Sequence, residues 1–134
     1  MSHDSRVVLI QETYAAFKRG ELDFILEAVT PDVQWETVGR SADFPTFGLR
    51  TGLEGVQAFF QAVSESEEFD TFAPTSYHAT EDRVFVEGSA KGRLKPSGRA
   101  VAFDWLHVYT LRDGKIARFR EFLDTAQFAD AWRA

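Results

Sequence analysis

The sequence predicts an α+β domain in which helices cover one face of an antiparallel sheet. Three observations carry this. Apolar residues in the first half recur at helical spacing. Those in the second half alternate. The alternating half is cut by turn-forming residues at Glu81-Asp82, Pro96-Ser97-Gly98 and Asp113-Gly114. Runs of helix followed by runs of strand indicate α+β segregation and not alternating βα units.

In chain order, a first helix is predicted from about Ser5 to Arg19. Asp4 or Ser5 caps it, Gly20 ends it, and Val7, Ile10, Tyr14 and Phe17 fall on one face. A short helix follows, Glu21 to Val29, with Leu22, Ile25, Leu26 and Val29 as its apolar stripe and Pro31 closing it. Val33 to Val38 reads as a strand, with Val33, Trp35 and Thr37 on one face and Gln34 and Glu36 on the other. Gly39 to Gly52 is rich in Gly, Pro, Ser and Thr and reads as loop. Leu53 to Ser66 reads as a third helix carrying Val56, Phe59, Phe60 and Val63 on its buried face. Four strands are then expected, Thr71 to Ala79, Arg83 to Lys95, Arg99 to Leu111 and Lys115 to Leu123. Asp124 caps a last short helix from Ala126 to Arg133.

Composition bounds the rest. The 134 residues suit a single domain spanning 1–134, without internal repeat or linker. Net charge is −6, which argues against phosphate-backbone binding and so against a nucleic-acid partner. With no Cys there is no disulfide, thiolate ligand or Cys nucleophile. The three His, at 3, 78 and 107, form no helix-spaced metal pair, so no metal and no cofactor is expected. Gly48, Gly52 and Gly55 lack the Lys of a phosphate loop. No apolar run is long enough to span a membrane, and Met1 to Arg6 is too polar for a signal peptide, so a cytoplasmic location is expected. Aromatic content is high, with 13 Phe, 3 Trp and 3 Tyr.

The segments YAAFKRGELDFILEAVTPDVQW and WLHVYTLRDGKIARFREFLDT resemble the nuclear transport factor 2-like (cystatin-like) superfamily. Within it the chain is most similar to the SnoaL-like group of polyketide cyclases, beside ketosteroid isomerases and limonene-epoxide hydrolases. The resemblance implies a cone-shaped α+β barrel, its curved antiparallel sheet wrapped over the helices and its wide end open as a cavity. It also implies a homodimer packed through the outer sheet face.

Side-chain parity nominates a site. In the Asp113-Gly114 hairpin, Arg118 and Arg120 are ill suited to a covered concavity. The odd positions, Phe103, Trp105, His107 and Tyr109 with Ala117, Phe119, Glu121 and Leu123, are therefore expected to face it. A three-residue turn, Arg112-Asp113-Gly114, would pair Leu111 with Lys115 and make His107 and Glu121 diagonal neighbours. A two-residue turn would set odd against even and separate them. A carboxylate among these rings is desolvated, which disfavours its charged form. Such a pair can abstract a proton beside a carbonyl and return it elsewhere.

The polyketide-cyclase motif implies an acid/base at Glu121. His107 stands where ketosteroid isomerases place the acid that hydrogen-bonds the developing oxyanion, so its N–H would polarise a substrate carbonyl. The isomerase base would sit near the end of the first strand, where parity puts Thr37 and turns Glu36 outward. Tyr14, Trp35, Thr37, Phe103, Trp105, Tyr109, Phe119 and Leu123 are expected to shape the pocket, with backbone partners for the indole N–H groups. Ion pairing of Glu121 with Arg99, Arg118 or Arg120 is the structural alternative for that residue. Asp104, Arg118 and Arg120 belong to the outer face and His78 to solvent.

The resemblance thus implies a cofactor-independent isomerase, cyclase or hydrolase acting on a small hydrophobic, carbonyl-bearing or polycyclic molecule. A non-catalytic binding module and a structural dimer of the same fold stand as alternatives.

Overall fold

The computed structural model describes residues 4–133; His3 lies outside them. Helix α1 (Ser5–Arg19) starts where Asp4 accepts the Arg6 N–H and stops at Gly20, whose φ of 71° turns the chain out of the helix. Helix α2 (Leu22–Ala28) is shorter than expected. Val29 already begins strand β1 (Val29–Thr37), and Pro31 lies inside that strand. Pairing with the neighbouring strand is interrupted between Val29 and Gln34, which is where a residue without an N–H is tolerated. Leu22 and Leu26 are only half-buried.

The segment read as loop contains a short strand, β2 (Gly48–Thr51), which pairs antiparallel with β1 from Thr37↔Gly48 to Gln34↔Thr51. Four residues with no alternating apolar face leave little signal in a sequence. Helix α3 (Gly52–Ser66) follows, then β3 (Glu67–Thr80), β4 (Arg83–Leu94), β5 (Ala100–Arg112), β6 (Lys115–Phe122) and α4 (Thr125–Arg133). Strand β3 starts four residues earlier than predicted, directly at the end of α3. The Asp124 carboxylate accepts the Gln127 N–H at 3.2 Å and caps α4.

The six strands form one curved sheet in the order β2-β1-β6-β5-β4-β3. All neighbours are antiparallel except β1 and β6. The four helices and this sheet give the predicted α+β architecture. The interior is built from alternate residues: Val84, Val86 and Ala90 on β4, Val101, Phe103, Trp105 and Tyr109 on β5, and Val33 and Trp35 on β1, with Ile10, Ile25, Val56 and Phe59 from the helices. Gly88 is required where Trp105 crosses β4, since a Cβ there would lie 2.1 Å from the indole. The opposite sheet face carries Asp104 and Arg118 in solvent, and Arg120 paired to Glu36 at 3.1 Å. His78 is exposed near the end of β3, as expected. Among the described residues no helix is long and apolar enough to cross a membrane.

The β5–β6 hairpin corrects the expected register. Its turn has two residues, Asp113 and Gly114, both at positive φ (54° and 77°), and Arg112 pairs with Lys115. Continued unchanged, that register would set odd residues against even ones. It changes at once: Leu111 pairs with Ile116, but Thr110 pairs with Arg118, so Ala117 is an extra residue, a β-bulge. Beyond the bulge Tyr109 faces Phe119 and His107 faces Glu121 directly, not diagonally. The same bulge explains Ile116, which parity assigned to the outer face and which is fully buried.

Candidate active site

Four elements converge under the sheet. Helix α1 brings Tyr14, β1 brings Thr37, β5 brings His107 and β6 brings Glu121. All four side chains are buried, Glu121 being the most accessible at 9%. The Tyr14 hydroxyl lies 2.7 Å from His107 Nδ1, His107 Nε2 lies 2.7 Å from Glu121 Oε2, and Thr37 Oγ1 donates to Glu121 Oε1 at 2.9 Å. Both Glu121 oxygens are thus taken by His107 and Thr37, and not by the arginines considered for them.

Protons can be assigned from this network. A neutral imidazole has one donor and one acceptor nitrogen. Burial holds the Tyr14 phenol well above its ordinary pKa, so it keeps its proton and donates to Nδ1. Nε2–H then donates to Glu121, whose carboxylate also accepts from Thr37. The result is a directed chain, Tyr14 to His107 to Glu121, ending on a carboxylate stabilised by two charge-assisted hydrogen bonds. Stacking fixes the imidazole plane: Trp105 lies against it at 4.0 Å between centroids, with Phe72 behind Trp105 at 4.9 Å. Both imidazole nitrogens are engaged, so in this arrangement His107 has no N–H left for a substrate carbonyl. This geometry suits the holding of Glu121 more than the polarising of a substrate carbonyl that was expected of His107.

Beside the chain lies a cavity of about 60 Å³. Tyr14, Trp35, Phe103, His107, Tyr109, Phe119, Glu121 and Leu123 line it, together with residues of α1, α2, α3 and β3. Thr37 and Trp105, expected on its wall, stand behind it, holding Glu121 and His107 respectively. Trp35 stacks on Phe119 at 4.1 Å. The indole N–H groups of Trp35 and Trp105 are buried and find no partner among the described residues, contrary to the expectation of backbone acceptors. Trp35 itself is a cavity-lining residue. No cluster of metal-ligating side chains occurs among the described residues.

One ionisable lining residue escaped the sequence reading. Glu67, the first residue of β3, is half-buried on the cavity wall. Burial, reinforced by the charge of Glu121, pushes its pKa up to about 8.

The chain is similar to solved structures over nearly its whole length. An NTF2-like protein from Burkholderia xenovorans is 31% identical with a TM-score of 0.87, covering 98% of both chains. TerC, co-crystallised with polyporic acid, is 26% identical with a TM-score of 0.86, covering 98% of this chain and all of its own. A curated relative, an NAD kinase from Marinomonas sp., is 28% identical over 82 residues; the match takes in 61% of this chain and only 28% of that protein. The family model for the SnoaL-like domain matches residues 10–119. On that match, and with the nuclear transport factor 2-like architecture described above, this chain belongs to the SnoaL-like domain family.

Proposed function

We propose that the protein is a cofactor-independent acid/base enzyme that moves a proton beside the carbonyl of a small, flat, apolar molecule. The observation that carries this is the Tyr14–His107–Glu121 chain, because its carboxylate end lines an aromatic cavity. A carboxylate taken out of water and held by neighbours is a base of fixed position, and the rings around it exclude competing solvent. Glu121 takes the proton from carbon and returns it to another carbon. His107 and Thr37 hold its two oxygens in place. At about 60 Å³ the cavity is smaller than the roughly 150 Å³ that holds a benzene ring, so a ring-bearing ligand enters by spreading the half-buried rim of Phe60, Val63 and Phe69. The relative that was crystallised with polyporic acid supports a small-molecule ligand for this fold.

The test is deuterium exchange at the α-carbon of 2-indanone in D2O, followed by proton NMR. Wild type is expected to exceed the buffer rate. Glu121→Gln should fall to the buffer rate, and His107→Phe should lose on the order of 10²-fold in kcat with a smaller change in KM. Exchange at the buffer rate in wild type, or equal rates in wild type and Glu121→Gln, would overturn the reading in favour of a non-catalytic binding module.

The outer sheet face supports a homodimer. Phe85, Leu106, Val108 and Phe122 form a half-buried apolar patch there, rimmed by Glu87, Asp104, Arg118 and Arg120. A patch of one apolar character with both signs of charge at its edge suits a self-complementary two-fold contact. Sedimentation is expected to give twice the 15.2 kDa chain mass, and Leu106→Glu to give the monomer. A monomeric wild type would remove this proposal.

A further inference from the structure

With both His107 nitrogens engaged, the chain described above offers a base and no acid for the substrate oxygen. Glu67 is a second carboxyl group on the wall of the same cavity. Its backbone is pinned: its N–H bonds the Val63 carbonyl at the end of α3, and the adjacent Ser66 carbonyl accepts the Lys95 N–H at 2.9 Å. Glu67 and Glu68 point to opposite faces of β3. Glu68 is exposed and meets Arg93 at 2.9 Å, whereas Glu67 lies on the cavity wall with Phe60, Val63 and Phe69.

The side chain of Glu67 has no hydrogen-bond or ion-pair partner among the described residues. The cations nearest in sequence pairing are used elsewhere, Arg93 by Glu68 and Asp70, and Lys95 by the Ser64 carbonyl. The titratable groups facing the same cavity are Tyr14 from α1, His107 and Tyr109 from β5, and Glu121 from β6; α2 and α3 contribute none. Of these only Glu121 acts on Glu67, and it does so as a like charge. Two carboxyl groups sharing one low-dielectric site separate into one ionised and one protonated. Glu121 is hydrogen-bonded by His107 and Thr37, whereas the Glu67 side chain has no such partner among the described residues.

We propose that Glu67 is the acid of this site, meeting the carbonyl oxygen of a bound ketone while Glu121 takes a proton from the adjacent carbon. This rests on the acid/base reading above. In the forward step the C–H bond breaks and its proton passes to the Glu121 carboxylate. The freed pair forms the carbon–carbon double bond, and the carbonyl π pair moves to oxygen, which takes the Glu67 proton. An enol, a neutral Glu121 and an ionised Glu67 result. Return of the Glu121 proton to a carbon, and of the enol proton to Glu67, resets both groups with no outside reagent.

The experiment pairs a titration with a pH–rate profile. In the protein without ligand, the Glu67 carboxyl carbon, identified by its loss in Glu67→Gln, is expected to titrate near pH 8. Exchange of 2-indanone, less the buffer rate, is expected to fall above that pH in wild type. Glu67→Gln should lose on the order of 10²-fold at pH 7 and lose the pH limb, and Glu67→Asp should recover the limb. Titration near the ordinary glutamate value, or a Glu67→Gln profile equal to that of wild type, overturns the proposal. If exchange needs Glu121 and not Glu67, this inference alone fails; if wild type exchanges at the buffer rate, the acid/base reading fails and takes this one with it.

Discussion

Thr37 is fully buried and its hydroxyl donates to Glu121. Thr37→Val keeps the shape and removes the hydroxyl, leaving a carboxylate oxygen buried without that donor. An unmet buried acceptor costs about 1–3 kcal/mol. Urea unfolding at pH 7 should show that loss with an unchanged m-value, and 2-indanone exchange should slow. A change below about 0.5 kcal/mol would mean that the hydrogen bond contributes nothing net. At this scale parity is informative: with Val33 and Trp35 facing inward, Thr37 has to follow. What parity does not reveal is which polar atoms meet. The two nitrogens of His107 are used by a helix residue 93 positions away and a strand residue 14 positions away. That leaves His107 no donor for substrate and moves the acid to Glu67.

Elements are legible where their period is unbroken. Helix α1 keeps one apolar stripe between a capping Asp4 and a left-handed Gly20, and its bounds follow from those residues. Two of the β-bulges decide which residues reach the site. Ala117 reverses parity on β6, so a two-residue turn still brings His107 and Glu121 together. On β3, Phe69 pairs with Gly92 and Thr71 with Lys91, which leaves Asp70 as the extra residue. Counting back from the cavity-lining Phe72 by twos would turn Glu68 and Asp70 inward. The bulge turns Phe69 and Glu67 inward instead. A bulge is a backbone event without a side-chain signature, and sequence alternation cannot carry a reader across it. Gly92 is the one residue that hints at it: a Cβ there would lie 2.1 Å from the Glu68 carbonyl oxygen, so only glycine lets β3 close on β4 at that point.

Over the whole molecule, groups whose proton affinity differs between the folded and unfolded chain set the pH dependence of stability. The Glu67 pKa is raised from 4.5 to about 8, so between those values the folded chain holds a proton that the unfolded chain has released. Stability from this group is therefore complete below about pH 4.5 and is lost as pH rises through about 8. A tenfold difference in proton affinity between the two states is worth about 1.4 kcal/mol. Because the side chain is half-buried and partly screened, a loss of about 2–4 kcal/mol is expected over that interval. Buried Tyr14 and Tyr109, also raised, extend the decline into alkali. On the acid side the sign reverses. Asp4, held down to about 2 by its hydrogen bonds to Arg6, and Asp32, lowered by Arg112, give stability that is lost as pH falls through their folded values. Urea midpoints should thus peak in mild acid and fall between about pH 5 and 9. Glu67→Gln, which cannot ionise, should flatten that fall while leaving the acid limb in place. A wild-type midpoint constant across that range, or a Glu67→Gln curve parallel to it, would show that Glu67 ionises in the folded protein as it does in water. The cavity would then hold two charged carboxylates at neutral pH.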